Sequence, residues 1–158
     1  MIRVRLSAQP VDAAACTAIV ESLPAYFDDH AVRQVPRDVE AHGAWLLAVG
    51  EEVVSFVVVE RRWPAAEILW MATRPELRGH GHGGRLLQHV LNALRDQGVR
   101  MVETKTLDAS AGYAPYEATR AFWERSGFVH VDTIDPYPGW QPGNPCAIYV
   151  TALAAAPA

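Results

Sequence analysis

The sequence is poor in cysteine, has no excess of positive charge and contains no long apolar stretch. Its two cysteines, Cys16 and Cys146, fit no CxxC or Cys/His metal motif, so they are predicted to be core residues and not acyl carriers. The formal net charge of −4 excludes the strong basic field that nucleic-acid binding relies on. An anionic ligand would therefore have to be held by a local site.

The sequence also lacks two targeting features. No apolar run approaches the roughly 18 residues that a membrane-spanning helix needs, and the N-terminus has no signal-peptide pattern. These absences predict a cytoplasmic protein with no membrane partner. The length of 158 residues predicts one domain over residues 1–153, since domains commonly run about 100 to 200 residues. Residues 154–158 offer few anchoring side chains and are predicted to be disordered.

Hydrophobic periodicity predicts a mixed α/β fold. A strand over residues 2–6 precedes a helix that begins at Ala13, with Asp12 as its N-cap, and one or two short helices follow within residues 26–42. The chain then continues with strands at residues 45–49, 53–60 and 67–73, a helix at 85–97, a strand at 99–107, a helix at 116–126, and strands at 128–133 and 147–151. Because the connection through helix 85–97 makes one strand pair parallel, the sheet should be mostly antiparallel.

The segment from Arg78 to Arg85 contains four glycines, at positions 79, 81, 83 and 84. Glycine permits positive φ angles and lets backbone N–H groups approach a ligand without a Cβ in the way. The helix that follows adds N–H groups without intrahelical partners and the positive end of its dipole. Arg78 and Arg85 can donate charge-assisted hydrogen bonds. We therefore predict a phosphate-binding loop, and the alternative is a flexible connection between a strand and a helix.

Two nucleotide-binding motifs fit this segment less well. Gly79, Gly81 and Gly84 match the GxGxxG dinucleotide fingerprint, and Glu103 lies near the expected acidic position. However, the residues from Arg74 to Arg78 separate the glycines from the strand, and the preceding strands form hairpins instead of βαβ units. A Walker loop is excluded because no Lys-Ser or Lys-Thr pair follows the glycines.

Two segments resemble the GNAT superfamily of N-acetyltransferases. The pattern Arg78-x-x-Gly81-x-Gly83, preceded by a strand and Arg74-Pro75-Glu76 and followed by an amphipathic helix, resembles the family's acetyl-CoA signature. The segment Ala121-Phe122-Trp123-Glu124-Arg125-Ser126-Gly127-Phe128 looks like the family's late helix. Together they cover about residues 66–128. The longer phrase from Tyr116, with Asn144-Pro145-Cys146, is similar to a branch of small bacterial members.

The resemblance implies a GNAT-like fold, in which helices flank a sheet that is splayed where acetyl-CoA enters. It places the pyrophosphate on the backbone of the glycine-rich segment and the pantetheine arm along the strand before it. The cofactor-binding residues expected on this basis are Met71, Ala72, Thr73, Arg78, Gly79, His80, Gly81, His82, Gly83, Gly84, Arg85 and Trp123. Pantetheine amides can pair like an extra strand only if strand 67–73 departs from strand 99–107, which requires a local bulge. An N–H group freed there could stabilise the thioester oxyanion.

The sequence departs from the family at Trp123, a position that bears on the catalytic residues. Relatives often have a tyrosine there, which protonates the departing thiolate, and an indole has no proton to transfer at neutral pH. Tyr116 is the candidate to act on the departing sulfur instead of that tyrosine. The alternative is that Tyr116 only packs in the core or at the rim of the site. Glu67 is the candidate general base, because an amine with a pKa near 10.4 must lose a proton before it attacks. The alternative for Glu67 is an exposed carboxylate at a strand edge.

These features predict an enzyme that transfers acetyl from acetyl-CoA to a primary amine of a small molecule or peptide, by direct attack in a ternary complex. The alternative is a non-catalytic CoA-binding regulatory or interaction domain. No metal is expected, because His80 and His82 lack a third ligand at useful spacing. Asp28 and Asp29 are candidates for attracting a cationic amine, with helix capping as the alternative. The proline-rich residues 135–145 are expected to line a pocket, and a homodimer is left open.

Overall fold

A computed structural model describes residues 1–155 of the chain. The elements are β1 Ile2–Leu6, α1 Pro10–Glu21, α2 Asp29–His42, β2 Trp45–Val49, β3 Glu52–Arg62, β4 Ala65–Thr73, α3 His82–Asp96, β5 Met101–Leu107, α4 Tyr116–Arg125, β6 Val129–Ile134 and β7 Cys146–Ala152. Of the tail predicted at 154–158, residues 156–158 lie outside the described part. No helix within the described residues combines the length and apolar character needed to cross a lipid bilayer.

Seven strands form one sheet in the order β1-β2-β3-β4-β5-β7-β6. Neighbouring strands pair antiparallel, apart from β4 and β5, which are connected through α3 and pair parallel. A parallel pair needs a long crossover connection, which the amphipathic α3 provides. The prediction of a mixed fold around a mostly antiparallel sheet is confirmed.

Helices cover both faces of the sheet, and each face has its own apolar core. On one face, the buried stripe of α3 consists of Leu86, Leu87, Val90, Leu91 and Leu94. These positions recur at helical spacing, so the stripe packs as a unit on the strands. On the other face, α1 and α2 bury Cys16, Ile19, Val20, Val35 and Val39 against the sheet. Side chains on the two faces of β4 therefore pack against different helices.

The parallel pairing of β4 and β5 covers only the first part of both strands. It ends at Ile68↔Thr104, although β4 continues to Thr73 and β5 to Leu107. Beyond that register pair the two strands diverge and their facing edges no longer pair with each other. The splay expected in the middle of the sheet is present.

A β-bulge lies in β4 at the point of divergence. Against β3, Val59 pairs with Ile68 and Val58 pairs with Trp70, so Leu69 is an extra residue in β4. Such a bulge bends its strand and increases the local twist. The bend directs the second half of β4 away from β5.

The first two helices differ from their predicted boundaries. α1 begins at Pro10, and Asp12 lies in its first turn instead of at the N-cap, because proline is well suited to the first helical position. α2 is one helix of 14 residues that contains Pro36. Its buried residues Ala31, Val35 and Val39 recur every fourth position, so packing on the sheet compensates for the hydrogen bond that proline removes.

The helix after the glycines also begins earlier than predicted. α3 starts at His82 and not at Arg85, with Gly81 as its N-cap residue. Gly83 and Gly84 are therefore helical, at a modest cost for glycine of up to about 1 kcal/mol each. The glycine-rich segment is divided into a loop at residues 78–81, called the glycine loop below, and the first turn of α3.

Asp12 connects α1 to the edge strand. Its buried carboxylate accepts two hydrogen bonds from the Arg5 guanidinium, at 2.7 and 2.9 Å, and further ones from the backbone N–H groups of Ala8 and Gln9. The hydrogen bond from Arg5 outweighs the effect of burial and holds the pKa of Asp12 well below its usual range. A carboxylate with such a depressed pKa stabilises the fold above about pH 4, where the unfolded group is also ionised, and loses this contribution as the pH falls.

We expect Asp12→Asn to lower the free energy of unfolding at pH 7 by about 2 kcal/mol, the scale of hydrogen bonds to a charged group. The difference from the parent should shrink at pH 3, because the parent carboxylate is losing its advantage there. Urea unfolding at the two pH values measures both effects. Asp29→Asn, at the exposed start of α2, is the control and should cost much less. An equal loss in both variants would contradict this account.

Candidate active site

A groove opens where β4 and β5 diverge, and its volume is about 1470 Å³. One wall consists of β4 and the glycine loop, and the opposite wall consists of β5 and α4. Two loops complete the lining: residues 23–28 between α1 and α2, called the α1–α2 loop, and residues 139–144 between β6 and β7, called the β6–β7 loop. Most of the site residues predicted from the sequence line this one groove.

The glycine loop is shaped to hold an anion. Gly79 and Gly81 both have a φ of +80°, and within the described residues no atom lies within 4 Å of a Cβ built on either. α3 begins as the Arg85 N–H donates to the Gly81 carbonyl at 3.0 Å. The N–H groups of the first turn precede this bond, so the helix offers them no carbonyl partner, and its dipole adds positive potential. A phosphate is a suitable ligand for this end of the helix.

Gly83 lets α3 approach β4 closely. A Cβ at this position would lie 3.3 Å from Thr73 Oγ1 and 3.4 Å from Met71 Cε. Met71 and Thr73 therefore project towards α3, on the face where the glycine loop lies. The predicted pantetheine residues and the predicted pyrophosphate residues are next to each other in the structure.

The charged side chains of this region do not all face the loop. Arg78 leans across to the α1–α2 loop, with its Cζ 4.6 Å from the centre of the Tyr26 ring. His80 Nδ1 lies 3.1 Å from the Arg78 carbonyl, and the His80 and His82 rings stack at 6.2 Å. Arg85 lies exposed on α3. Within residues 1–155, no group of three or more His, Cys, Asp or Glu side chains is arranged to hold a metal ion.

The bulge at Leu69 determines which side chains of β4 share a face. Glu67 lies opposite Glu60, and Trp70 lies opposite Val58, two residues away on β3. Since alternate residues of a strand share a face, Glu67 and Trp70 both project to the side covered by α1 and α2. Without the bulge, two residues three positions apart would point to opposite faces. This side of the groove is called the acceptor face below.

Glu67 lies at the centre of a compact ion-pair network. It is only 5% exposed, which rules out the exposed strand-edge alternative. Its carboxylate contacts Lys105 Nζ and lies 2.8 Å from Arg62 Nη2. Lys105 also pairs with Glu103 at 3.3 Å, and Arg62 pairs with Glu60 at 2.6 Å. The sequence interpretation identified Glu67 but missed its two cationic partners.

Lys105 is the only lysine in the sequence, in which the other 13 of the 14 lysine and arginine residues are arginines. It lies on the splayed part of β5, lines the groove, and has its Nζ 5.6 Å from the centre of the Tyr137 ring. Burial lowers the pKa of Lys105, but the hydrogen bond to Glu67 and the charges of Glu67 and Glu103 outweigh it, so the pKa is raised. The ammonium stays charged at neutral pH. The sequence signal that could have identified Lys105 is that the single lysine lies on a strand expected to flank the splay.

Tyr116 lies at the start of α4 and lines the groove. The hydroxyl donates a hydrogen bond of 2.6 Å to the backbone carbonyl of Tyr26. Burial, with the neighbouring Tyr113 and Asp28 adding to it, raises the pKa of Tyr116 to about 12. Tyr113 makes a similar bond of 2.7 Å to the Ala25 carbonyl. The two tyrosines fasten the α1–α2 loop to the wall formed by α4.

Aromatic rings occupy two sides of the acceptor face. Phe27 and Trp70 lie 6.3 Å apart, and Trp70 Nε1 donates to Asp38 Oδ2 at 2.6 Å. On the other side, Tyr137 and Trp140 lie 5.6 Å apart in the proline-rich segment. This segment lines the groove as predicted, through Trp140 and its neighbours. Phe27 and Asp38 were missed, because nothing local in the sequence separates them from core and surface positions.

The remaining candidates have structural contacts. The Asp28 carboxylate accepts from the Ala31 N–H at 2.9 Å and so caps α2. Asp29 follows it in the exposed first turn. Cys16 and Cys146 are buried, and burial raises their pKa values to about 12 and about 11. Such thiols remain protonated at neutral pH and are poor nucleophiles.

Comparison with known proteins identifies the family. The model of the acetyltransferase (GNAT) domain matches residues 40–130, more than half of the chain. The chain belongs to the GNAT family. The match spans β2 to β5, both groove walls and the glycine loop of this GNAT domain. The α1–α2 and β6–β7 loops lie outside it, so the match bears on the cofactor side more than on the acceptor face.

Solved structures share the GNAT fold over nearly the whole chain. A GNAT-family protein from Desulfovibrio desulfuricans is 21% identical, with a TM-score of 0.85, over 98% of this chain and 100% of that one. The ribosomal-protein-S18-alanine N-acetyltransferase from Escherichia coli is 19% identical, with a TM-score of 0.79, over 99% and 97% of the two chains. An aminoglycoside 6'-N-acetyltransferase complexed with coenzyme A is 14% identical, with a TM-score of 0.75, over 100% and 99%. These identities establish the fold alone, and no curated protein sequence matches the chain.

Trp123, at the position where GNAT relatives often have a tyrosine, lies between the groove and the core. It lines the groove but is only 5% exposed, and it packs against Phe122 and Phe128 at 5.2 and 5.0 Å. Its ring therefore contributes apolar surface to the cofactor side of this GNAT domain.

The two helical glycines of α3 should respond differently to substitution. Gly84→Ala should raise the free energy of unfolding by up to about 1 kcal/mol, because alanine favours a helix and nothing lies within 4 Å of the added Cβ. Gly83→Ala should lose most or all of this gain, because its Cβ would crowd Thr73 and Met71. Chemical denaturation of both variants measures the difference. An equal gain in both would show that β4 does not restrict this helix.

Proposed function

We propose that the protein transfers the acetyl group of acetyl-CoA to a primary amine, by direct attack in a ternary complex. The observation that carries this proposal is the position of the splay. The anion-binding start of α3 lies against the splayed part of β4, and the buried carboxylate of Glu67 on the acceptor face lines the same groove. A long anionic cosubstrate and an amine can therefore meet inside one groove.

The residues present fit CoA on the cofactor side. The glycine loop and the first turn of α3, from Arg78 to Arg85, would hold the pyrophosphate through backbone N–H groups, with His80 and His82 at the loop surface. Met71, Ala72 and Thr73 lie on the part of β4 that no longer pairs with β5, so their backbone groups can pair with pantetheine amides. Trp123 would supply apolar surface to the same groove. An N–H group of the same stretch can stabilise the oxyanion as the amine attacks the thioester.

Glu67 is the proposed proton acceptor. An amine with a pKa near 10.4 is mostly protonated at pH 7, and its deprotonation costs roughly 4 to 5 kcal/mol. Glu67 lies on the acceptor face, and its ion pairs with Arg62 and Lys105 fix its orientation. We propose that the carboxylate takes the ammonium proton, directly or through a water, before the neutral amine attacks the thioester.

Thiolate departure needs no dedicated acid. A simple thiol titrates near 8.5, so transfer of a proton from Tyr116, whose pKa is about 12, would be uphill by about 5 kcal/mol. Tyr116 can serve the sulfur only as a hydrogen-bond donor, and only after leaving the Tyr26 carbonyl. We therefore assign it to the orientation of the α1–α2 loop and to polar contact with the sulfur, with the thiolate leaving as such.

We propose that the acceptor is a small molecule or a peptide. The names of two structural neighbours refer to acceptors of different size, an aminoglycoside and an alanine of ribosomal protein S18. Release of free CoA thiol from acetyl-CoA in the presence of a panel of amines tests the activity directly. CoA binding without any thiol release would favour the alternative, a non-catalytic CoA-binding domain.

We expect CoA to stabilise the protein by about 2.7 kcal/mol at a ligand concentration 100 times its dissociation constant. A thermal-shift titration measures this effect. Gly81→Asp should abolish it, because the substitution places a carboxylate at the mouth of the anion site. Gly50→Asp is the matched control, since Gly50 also has a positive φ, +62°, with open space around it, but lies in the distant β2–β3 turn. Normal CoA binding by Gly81→Asp would mean that the phosphates lie elsewhere.

We expect Glu67→Gln to slow acetyl transfer by at least about 10-fold at pH 6 and by progressively less towards pH 9, where more of the amine is already neutral. Steady-state rates across this range give the profile. Glu103→Gln is the control, because it also removes one carboxylate from Lys105 but does not line the groove. If both variants show the parent's profile, Glu67 acts through structure alone. Unfolding and CoA titrations show whether each variant remains intact.

A further inference from the structure

We propose that the acceptor is a primary amine on an apolar, aromatic-sized group, with no carboxylate on the carbon that bears the amine. This inference rests on the proposed acetyl transfer and concerns what the acceptor face selects. A free arylalkylamine and the N-terminus of a peptide share this chemistry, whereas a free α-amino acid does not. The observations that carry it are the aromatic walls of the acceptor face and the carboxylate of Asp38, which forms no salt bridge within the described residues.

The aromatic side walls of the acceptor face suit an apolar group on the acceptor. Phe27 and Trp70 form one side, and Trp140, supported by Tyr137, forms the other. The Trp70 indole is held by its hydrogen bond to Asp38, and the Tyr137 ring lies against the Lys105 ammonium. A ring that is already held in place, such as that of Trp70, presents its face with little loss of entropy on binding. A purely polar acceptor would leave these faces unused.

The acceptor face has a small excess of negative charge. Its groove-lining carboxylates are Asp28, Asp38 and Glu67, and its groove-lining cations are Arg33 and Lys105. Two further arginines line the groove, Arg78 in the glycine loop and Arg125 at the end of α4. An acceptor ammonium near Asp38 meets a compensating charge, and an acceptor carboxylate there meets repulsion.

The two cations that pair with Glu67 are already engaged by carboxylates, although the Arg62 side chain is half exposed. Lys105 contacts Glu67 and Glu103, and Arg62 contacts Glu60 and Glu67. Breaking such a pair to bind a new anion would leave a buried carboxylate without its partner, which is strongly unfavourable. Lys105 therefore completes the internal network and does not act as an anion receptor. Arg33 lies at the exposed rim, where water screens its charge.

Asp38 provides the selective charge. Its oxygens accept from Trp70 Nε1 and from Gln34 Nε2, at 2.6 and 3.0 Å, and within the described residues it forms no salt bridge. Each carboxylate oxygen has a second lone pair, so both can accept another hydrogen bond. Asp38 is half-buried, lines the groove, and lies next to the ring that an apolar acceptor would contact. A carboxylate of the acceptor would be placed near this uncompensated charge.

Three amines that differ in one group test the inference on the full-length protein. Phenethylamine has no carboxylate, phenylalanine has one, and phenylalaninamide replaces it with a neutral group of similar size that also stands for a peptide N-terminus. Calorimetric titration of each into the protein saturated with CoA measures binding without requiring turnover. We expect phenethylamine and phenylalaninamide to bind at least about 100-fold more tightly than phenylalanine. Ethanolamine, which lacks the apolar body, should bind weakly.

Asp38→Asn identifies the origin of the selectivity. Asparagine keeps an oxygen that can accept from Trp70 but removes the charge, so the gap between phenethylamine and phenylalanine should narrow by about 10-fold. Glu40→Gln removes the same charge from an exposed position on the same helix that does not line the groove. This control should leave the gap unchanged. If the affinity gap narrows equally in both variants, long-range electrostatics, and not Asp38, discriminates between phenethylamine and phenylalanine.

The outcomes separate this inference from the proposed function. Equal binding of phenylalanine and phenethylamine overturns the inference, whatever the turnover assay shows. Preferential binding of phenylalaninamide over phenethylamine supports it and identifies the peptide source, and the reverse order identifies the free amine. If acetyl-CoA releases no thiol with any of the amines, the proposed transfer fails, and the binding comparison still decides what the acceptor face selects.

Discussion

The loss of pairing between β4 and β5 is the constraint on which the rest of the structure depends. Parallel strands normally continue to pair until one ends, because an unpaired, buried edge leaves backbone groups unsatisfied. Here pairing stops at Ile68↔Thr104, where the extra residue Leu69 bends β4. The opening gives a ligand access to backbone groups in the middle of a sheet. The same residue turns Glu67 and Trp70 to one face, so a single bulge creates both the groove and the composition of its acceptor face.

Much of the fold followed from local signals in the sequence. The apolar stripe of α3 and the alternating strands determined the element order and the single parallel pair. The errors lie at helix starts, where competing local rules have similar energies. Asp12 is a good N-cap residue, yet Pro10 is well placed at the first helical position and Arg5 provides the aspartate with a stronger partner. The glycines near position 83 suggested a loop, although they are helical because α3 must approach Met71 and Thr73.

The cofactor side of the site could be anticipated because its glycines and arginines are contiguous in sequence. The acceptor face could not, since its members come from α2, β4, β5 and two separate loops. Asp38 faces the groove only because α2 packs on the sheet in one orientation, and Lys105 meets Glu67 only across the splay. Register and bulge position determine such encounters, and neither leaves a local mark in the sequence. The contrast explains why family resemblance indicates the cosubstrate before it indicates the acceptor.

Lys105 has a further consequence for a chain that we propose acetylates amines. An enzyme that handles an activated acyl group risks modifying its own amines. This sequence carries one lysine, and the structure keeps its ammonium charged between Glu67 and Glu103. A charged ammonium has no lone pair with which to attack a thioester. Apart from the N-terminal amine, the protein therefore presents no lysine in the neutral form that would react readily with its own acetyl donor.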